Sequence, residues 1–197
     1  RLPEFNVALP FSPTDFTQVN HRVNEVLVSR VARLLAPEPS DVIADFFCGL
    51  GNFTLPLATH AQKVVGLESS ASLVERARVA AAGNGLTDRT QFETRNLFDF
   101  TLDDWRALAD RHGPIDKALI DPPREGALAL AQVLATASIE QAKPPSRVVY
   151  VSCNVATLAR DCGVLVNQGG WTLRAAGVVN MFPHTSHVES MALLESD

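Results

Sequence analysis

A cysteine that directly follows an apolar run is the residue of this sequence best suited to nucleophilic chemistry. Residues 148–154 read V-V-Y-V-S-C-N, a pattern typical of a buried parallel strand that ends in small and polar residues. Because ligands bind at the carboxyl ends of such strands, we expect Cys153 to face a binding crevice. A helix is predicted to begin just after it, and a helix N-terminus lowers the pKa of a nearby thiol. The sequence therefore predicts a reactive thiolate at Cys153.

The other two cysteines, Cys48 and Cys162, are predicted to be small buried side chains, one beside a glycine turn and one within a helix. The three cysteines show no C-x-x-C spacing, so we expect no zinc and no other bound metal. Three cysteines without a paired pattern also favour a reducing, cytoplasmic location over a disulfide scaffold.

A glycine turn predicts a second site. Residues 45–51 read D-F-F-C-G-L-G after a predicted strand, and such a turn lets a ligand approach the backbone near a helix N-terminus. The full dinucleotide pattern G-x-G-x-x-G is missing. Glu68 ends the next predicted strand, where an acidic side chain can hydrogen-bond a ribose diol. This combination predicts an adenosine-bearing ligand without a pyrophosphate, of which S-adenosylmethionine is the common example.

A further strand is predicted to end at residues 121–124, which read D-P-P-R. Proline cannot continue a central ladder, so the chain must leave the sheet there. The carboxylate of Asp121 and the nearby carbonyls are then free to bind a planar polar group. By itself, the motif is equally typical of an ordinary turn.

A thiol beside a methyl donor has a specific use in pyrimidine chemistry. C5 of uracil is too weak a nucleophile to attack a sulfonium methyl, but addition of a thiolate to C6 turns the ring into an enolate with an activated C5. After methyl transfer, a base must remove the C5 proton so that the thiol is eliminated. Glu189, at the start of the last predicted strand, is the candidate base. A solvated carboxylate is the alternative interpretation of Glu189, and His184 and His187 are equally open to a structural interpretation.

Strand and helix patterns alternate along most of the chain, which predicts an α/β fold with a doubly wound, mostly parallel sheet. The connection 180–186 is too short for a helical crossover, so the last two strands are predicted to pair antiparallel. Strands are predicted at residues 42–47, 63–67, 90–94, 115–120, in a fifth segment leading to Cys153, and at 171–179 and 187–194. Helices are predicted from residue 19, from about residue 53, at 70–84, in part of 97–112, and at 127–142 and 155–167.

Length and composition indicate one domain with its own core, since the chain has 197 residues, of which 46 % are hydrophobic. No apolar run approaches the ~20 residues of a membrane helix, and no signal peptide is recognisable, so we expect no membrane association. The first residue is Arg1 rather than Met, so we expect a piece of a longer protein. The formal net charge of −5 counts against an RNA partner unless another domain supplies the positive surface.

Six sequence blocks together span almost the whole chain: F-x-Q-V-N (16–20), D-F-F-C-G-L-G-N-F-T-L-P-L-A (45–58), D-P-P-R-E-G-A (121–127), V-S-C-N (151–154), T-L-A-R-D (157–161) and M-F-P-H-T-S-H-V-E-S-M (181–191). In these blocks the chain resembles the RNA (uracil-5-)-methyltransferases, most closely their bacterial 23S rRNA branch. The resemblance implies a Rossmann-like class I S-adenosylmethionine-dependent methyltransferase, with a mostly parallel seven-stranded sheet and an antiparallel last strand.

The resemblance also implies roles for individual side chains. It makes Cys153 the nucleophile that attacks C6 and Glu189 the acceptor of the C5 proton. It places two side chains near a uridine flipped out of its stack, Phe16 and His184. It assigns the S-adenosylmethionine site to Gln18, Phe47, Asn52, Glu68, Asn96 and Asp121.

By the same resemblance, residues 1–40 are an N-terminal extension with a leading helix, and residues 41–197 are the catalytic domain. The RNA-binding barrel and the iron–sulfur domain of the family are absent from this chain, and no cysteine matches the cluster ligands. One position departs from the family pattern, because Val155 stands where proline usually follows S-C-N. Proline pre-sets the backbone of a first helical turn, so Val155 is expected to loosen the loop without removing the nucleophile.

These features together predict a monomeric enzyme that methylates C5 of a uridine in 23S rRNA. Three alternatives stay open at this point. The first is a uracil-5-methyltransferase that acts on tRNA. The second is an amino-group methyltransferase, in which D-P-P-R grips the nitrogen and no thiol is needed. The third is a non-catalytic module that binds S-adenosylmethionine for an RNA-binding partner.

Overall fold

A single mixed sheet runs through the computed structural model, which describes residues 1–9, 21–140, 142–179 and 189–196. Its strands are β1 (Val42–Phe46), β2 (Lys63–Glu68), β3 (Thr90–Thr94), β4 (Lys117–Ile120), β5 (Arg147–Ser152), β6 (Thr172–Val179) and β7 (Glu189–Glu195). They lie in the order β3-β2-β1-β4-β5-β7-β6. Neighbours among β1 to β5 are parallel, whereas β7 runs antiparallel to both β5 and β6. This confirms the predicted seven-stranded, mostly parallel sheet with an antiparallel last strand.

Helices cover both faces of this sheet. The described helices are α1 (His21–Leu35), α2 (Thr54–Ala58), α3 (Ala71–Gly83), α4 (Leu102–His112), α5 (Leu128–Ile139) and α6 (Val155–Gly169). Apolar side chains of α1, α2 and α3 pack on one face of the sheet, and those of α4, α5 and α6 pack on the other. Successive strand residues point to opposite faces. A strand buried on both faces is therefore apolar at every position, as residues 148–151 are.

Element ends differ from the sequence prediction by a few residues, for local reasons. Strand β1 stops at Phe46, because Phe47 has a left-handed backbone with φ of +65°. Helix α4 begins at Leu102, because Thr101 and Asp104 form a capping box there. Helix α6 continues to Gly169 and is ended by Gly170, whose φ is +72°.

The carboxyl ends of the parallel strands form one edge of the sheet, and the start of β7 joins them because β7 is antiparallel. Among the described residues, this edge holds Cys153, Glu189, Glu68 and Asp121, for which chemistry was predicted. None of the helices in the described ranges combines the length and the apolar character that a membrane span requires.

Candidate active site

The register of β5 and β7 brings the predicted nucleophile and base together. Ser152 of β5 pairs with Ser190 of β7, so Cys153 and Glu189, each one residue further out, lie opposite each other at the sheet edge. Asp121 directly follows β4, whose last residue Ile120 pairs with Tyr150 of β5. Three side chains predicted from separate parts of the sequence therefore meet at one edge.

Glu189 is a buried carboxyl group. Its exposed fraction is 6 %, and burial raises its pKa above the ordinary value. The interpretation of Glu189 as a solvated carboxylate is therefore wrong. A raised pKa brings a carboxylate closer to the strength that a general base needs at neutral pH.

The Cys153 thiol does not have the lowered pKa that the sequence predicted. Burial raises its pKa first and the charge of Glu189 raises it further, while a hydrogen bond from Arg124 and the charge of that side chain act in the opposite direction. The helix N-terminus does not reverse this, because Asn154 is the N-cap and Cys153 stands one residue outside it. The prediction failed because it considered only the helix that follows the thiol.

Local hydrogen bonds hold the turn that carries Cys153. The Ser152 hydroxyl accepts from the Asn154 amide at 3.0 Å and donates to the Asn154 carbonyl at the same distance. The Ser190 hydroxyl donates to the Ser152 carbonyl at 2.9 Å, which ties the turn to β7. The Asn154 side chain accepts from the Ala156 amide at 3.0 Å and so caps α6. The helix therefore begins at Val155 without the usual proline.

The glycine turn lies at the same edge, after β1. Gly49 has a φ of +53°, and no described heavy atom lies within 4 Å of a Cβ built on it, so the turn faces open space. The Gly49 amide donates to Oε2 of Glu68 at 3.3 Å, and the Ser70 amide donates to Oε1 at 2.9 Å. Glu68 thus lies at the end of β2, as predicted, between the glycine turn and the N-cap of α3.

Asp45, the first residue of the glycine motif, is a fully buried acid. Its Oδ2 atom accepts from the Thr54 hydroxyl at 2.5 Å, while Oδ1 has no hydrogen-bond partner among the described residues. Burial raises its pKa to about 7; hydrogen bonds from Thr54 oppose this shift and the charge of Glu68 adds to it.

Asp121 is another acid of the same edge. Burial raises its pKa well above the ordinary value, and the charges of Glu189 and Asp45 raise it further. Four acids therefore follow the edge of the sheet: Asp45, Glu68, Asp121 and Glu189. Such an edge favours a ligand that carries positive charge, because a cation would offset the desolvation of these carboxyl groups.

The outer rim of the edge carries two aromatic rings and an amide. The rings of Phe47 and Phe98 meet edge-to-face with centroids 5.7 Å apart, and Phe98 is 52 % exposed. Asn96 precedes the 3-10 helix Leu97–Asp99, accepts from the Phe98 amide at 3.2 Å and donates to Asp99 at 3.1 Å. The rim thus offers a flat apolar surface beside polar groups.

Asn52, two residues before α2, forms an amide pair with Asn24 of α1. Each side chain donates to the other, at 2.9 and 3.0 Å. This pair fixes the glycine turn against α1.

Three residues that the resemblance assigned, Phe16, Gln18 and His184, lie outside the described residues, as does His187. The cysteines are all described and are free thiols, with Cys48 and Cys162 buried as predicted. Among the described residues, no group of three or more His, Cys, Asp or Glu side chains is arranged to hold a metal ion.

Sequence reasoning missed two residues of this edge. Arg124 was noted only as part of D-P-P-R, and its charge beside the thiol depends on how the loop folds back. Phe98 was not singled out at all. An aromatic residue shortly after the end of a predicted strand is a signal that could have identified it.

The chain is similar in sequence to known uracil methyltransferases. The family model described as tRNA (Uracil-5-)-methyltransferase matches residues 6–197. The 23S rRNA (uracil(1939)-C(5))-methyltransferase RlmD of Burkholderia pseudomallei (strain 1710b) is 59 % identical over 197 residues, which are 100 % of this chain and 42 % of the relative. RlmD of Ralstonia pickettii (strain 12J) is 56 % identical over 200 residues, which are 100 % of this chain and 44 % of that relative. The chain thus spans less than half the length of the curated relatives it matches.

Solved structures show the same architecture. The tRNA (uracil-54, C5)-methyltransferase of Pyrococcus abyssi, in complex with S-adenosyl-L-homocysteine, matches with a TM-score of 0.75 and 29 % identity, over 95 % of this chain and 42 % of that one. Magnesium protoporphyrin IX methyltransferase from Synechocystis PCC 6803, with bound SAM, matches with a TM-score of 0.65 and 19 % identity, over 95 % of this chain and 87 % of that one. At 19 % identity, the second match supports only the shared fold.

Proposed function

The chain belongs to the tRNA (Uracil-5-)-methyltransferase family, and on that premise we propose that it methylates C5 of a uridine in RNA with S-adenosylmethionine. The observation that carries the proposal is the β5–β7 register, which sets Cys153 opposite the buried Glu189. The relatives at 59 % identity favour 23S rRNA, at uracil 1939, as the substrate.

The domain assignment is part of this proposal. Residues 41–197 act as the catalytic domain and residues 1–40 as its extension and leading helix. An RNA-binding barrel and an iron–sulfur domain, which the family resemblance implies, belong to the part of the relatives' length that this chain does not cover. The monomeric state and the cytoplasmic location stay predictions from the sequence.

The described edge fits S-adenosylmethionine. The cofactor would supply an electrophilic methyl group on a sulfonium sulfur, and its positive charges suit the four acids and the unpaired Oδ1 of Asp45. Phe47 and Phe98 offer a flat apolar surface for a purine, and Glu68 retains acceptor capacity for ribose hydroxyls. Asn52, Asn96 and Asp121 complete the described part of the proposed cofactor site, and Gln18 is assigned to it from the resemblance.

Covalent catalysis by Cys153 accounts for the reaction at C5. The thiolate donates an electron pair to C6, and the electrons of the C5=C6 double bond move to form an enolate. S-adenosylmethionine, held by Glu68, Asn96 and Asp121, would supply the methyl group to C5, and its sulfur would keep the electron pair of the broken carbon–sulfur bond. The Glu189 carboxylate removes the C5 proton, the double bond reforms, and the Cys153 thiolate leaves C6. Because the resting thiol has a raised pKa, it is mainly protonated at neutral pH and must be ionised when substrate binds.

Trapping with 5-fluorouridine tests this function. The chain is mixed with S-adenosylmethionine and a short 23S rRNA hairpin carrying 5-fluorouridine at the target, and the products are weighed by mass spectrometry. Fluorine cannot leave as a proton does, so we expect a protein–RNA adduct that contains the added methyl group. Cys153→Ala should abolish the adduct, whereas Cys162→Ala, another thiol removal, should retain it.

The outcomes separate the alternatives. An adduct only with a full-length relative would support the chemistry and assign RNA docking to the additional domains. An adduct with a tRNA hairpin in place of the rRNA hairpin would favour the tRNA reaction. No adduct with either protein, together with methylation that survives Cys153→Ala, would establish the amino-group reaction instead. Cofactor binding without turnover on any RNA would indicate a binding module.

A further inference from the structure

The proposed chemistry leaves the T-L-A-R-D block at residues 157–161 without a role. Arg160 and Asp161 lie three and four residues after Thr157, so all three side chains share one face of α6. That face contacts the loop 121–127, which contains D-P-P-R.

Side chains at the start of α6 hold the backbone of this loop. The Arg124 carbonyl accepts from Nδ2 of Asn154 at 3.1 Å and from the Thr157 hydroxyl at 3.3 Å. The next carbonyl, that of Glu125, accepts from Nη2 of Arg160 at 2.9 Å. Two consecutive loop carbonyls are thus fixed by one helix.

A buried carboxylate continues the contact. Asp161 is 0 % exposed, and its Oδ1 accepts from Nε of Arg160 at 2.7 Å. Its Oδ2 accepts from the Ala127 amide at 2.7 Å and from the Tyr150 hydroxyl at 2.6 Å. A buried charge is retained when hydrogen bonds and an opposite charge satisfy it, as they do here. Asp161 therefore joins α6, β5 and the end of the loop.

The loop fits against these side chains without spare room. Gly126 has a φ of +78°, and a Cβ there would lie 2.7 Å from Nη2 of Arg160 and 2.7 Å from Oδ2 of Asp161. The Gly126 amide donates to the Pro123 carbonyl at 2.9 Å, which closes a tight turn that contains Arg124. Movement of Arg160 or Asp161 would therefore be transmitted to the loop.

The loop in turn carries a positive charge that acts on the proposed nucleophile. Two described charges act on the Cys153 thiol, the carboxyl of Glu189 on β7 and the guanidinium of Arg124 on the loop. Glu189 and burial disfavour the thiolate, whereas Arg124 favours it. The position of the loop thus decides how far Arg124 offsets the effects of Glu189 and of burial on ionisation of the thiol.

We propose that Arg160 and Asp161 are positioning residues, which act through the loop 121–127 to keep the Arg124 guanidinium against the Cys153 thiol. The importance of this contact for catalysis rests on the proposed function, but its effect on thiol ionisation does not. Arg160 acts as a fork, with one nitrogen on Asp161 and another on the Glu125 carbonyl.

The test is the pH profile of Cys153 alkylation by iodoacetamide, followed by peptide mass spectrometry, in the absence of RNA and methyl donor. In Asp161→Asn we expect the midpoint to move to higher pH by about 0.5 to 1, so the rate at pH 8 falls about three- to tenfold. Asp110→Asn, the same charge change on the exposed face of α4, should leave the profile unchanged. Arg160→Met, at a side chain that is 42 % exposed, provides the same test if Asp161→Asn does not fold.

A double-mutant cycle separates positioning from a general structural effect. If Asp161 acts through Arg124, then Arg124→Met should show the same displacement of the profile, and Asp161→Asn should add nothing to it. Arg160→Lys, which cannot form both contacts of the fork, should fall between wild type and Arg160→Met. An unchanged profile in the folded variants, or an equal displacement in the Arg124→Met background, would overturn the proposal.

The positioning role and the proposed reaction can be refuted separately. A displaced alkylation profile in a chain that forms no 5-fluorouridine adduct would leave the positioning role intact and remove the reaction. An adduct that forms at the wild-type rate in Asp161→Asn and Arg160→Met, with unchanged profiles, would keep the reaction and remove the positioning role.

Discussion

At the scale of single residues, Asp45 is a buried acid, and one of its carboxyl oxygens has no hydrogen-bond partner among the described residues. Its pKa of about 7 lies above the value of 3.8 for a free side chain, because burial disfavours the charged form. The folded state therefore binds this proton more tightly than the unfolded state does. Below pH 3.8 both states are protonated; between about pH 4 and pH 7 only the unfolded state ionises, so stability falls as the pH rises.

Asp45→Asn should remove this pH dependence, because asparagine has no proton to lose. The full effect corresponds to at most roughly 4 kcal/mol, so the variant should gain stability relative to wild type as the pH rises from 4.5 to 8. Urea unfolding at both pH values measures the difference. The exposed Asp110→Asn should show no such gain, and a constant difference between Asp45→Asn and wild type would refute the assignment.

The proposed role of Glu189 as a base also depends on its protonation state. In Glu189→Gln the C5 proton can no longer be removed, so the methylated covalent adduct should accumulate with ordinary uridine RNA. Turnover should fall by about 100-fold or more, the usual contribution of a general base. Denaturing gels and mass spectrometry detect the adduct. Glu75→Gln, at an exposed residue of α3, is the matched control; normal turnover in Glu189→Gln would exclude the residue as the base.

At the scale of elements, the start of α6 shows how a departure from the family pattern is accommodated. Asn154 caps the helix and adopts an extended backbone with φ of −131° and ψ of 104°. That conformation is compatible with a following proline, and the first helical position needs no amide donor. Val155 is 51 % exposed, so little packing depends on it.

Val155→Pro should therefore stabilise the chain by about 0.5–1 kcal/mol, because proline restricts the unfolded state without strain here. Adduct formation with 5-fluorouridine should be retained. Thermal unfolding provides the measurement. Ala156→Pro, one residue later, should destabilise, because the Ala156 amide donates to the Asn154 side chain. If the two variants behaved alike, the capping geometry would be incorrect.

At the scale of the whole molecule, the net charge of the chain and the share of its relatives' length that it spans both bear on RNA binding. The chain has 17 Lys and Arg against 22 Asp and Glu, and it spans 42 % of a close relative. Phosphate contacts require cationic side chains, so the excess of acidic residues disfavours RNA binding by this chain alone.

We therefore expect this chain to bind a 23S rRNA hairpin at least about tenfold more weakly than full-length Burkholderia RlmD does, with a smaller salt dependence. Its affinity for S-adenosylhomocysteine should match that of the full-length relative, since the residues of the proposed cofactor site all belong to this chain. Fluorescence anisotropy and calorimetry measure the two affinities. Equal RNA affinity would show that this domain carries the RNA-binding surface itself.

The sequence by itself determined the architecture and the order of the reactive residues along it. Runs such as 148–152 and turns such as 49–51 depend on local periodicity and backbone preference, which are properties of a short segment. The positions of Cys153, Glu68 and Asp121 just at or after strand ends were therefore predictable. The short connection before β7 also predicted the antiparallel pairing that sets Glu189 at this edge.

Only the tertiary structure decided the electrostatics of the site. The raised pKa of the Cys153 thiol depends on burial and on Glu189, and the opposing charge of Arg124 depends on a loop that α6 holds. The burial of Asp45 and the contacts of Asp161 likewise join segments far apart in the chain. Charge interactions depend on distance and solvent exposure, and both are set when separate elements pack together.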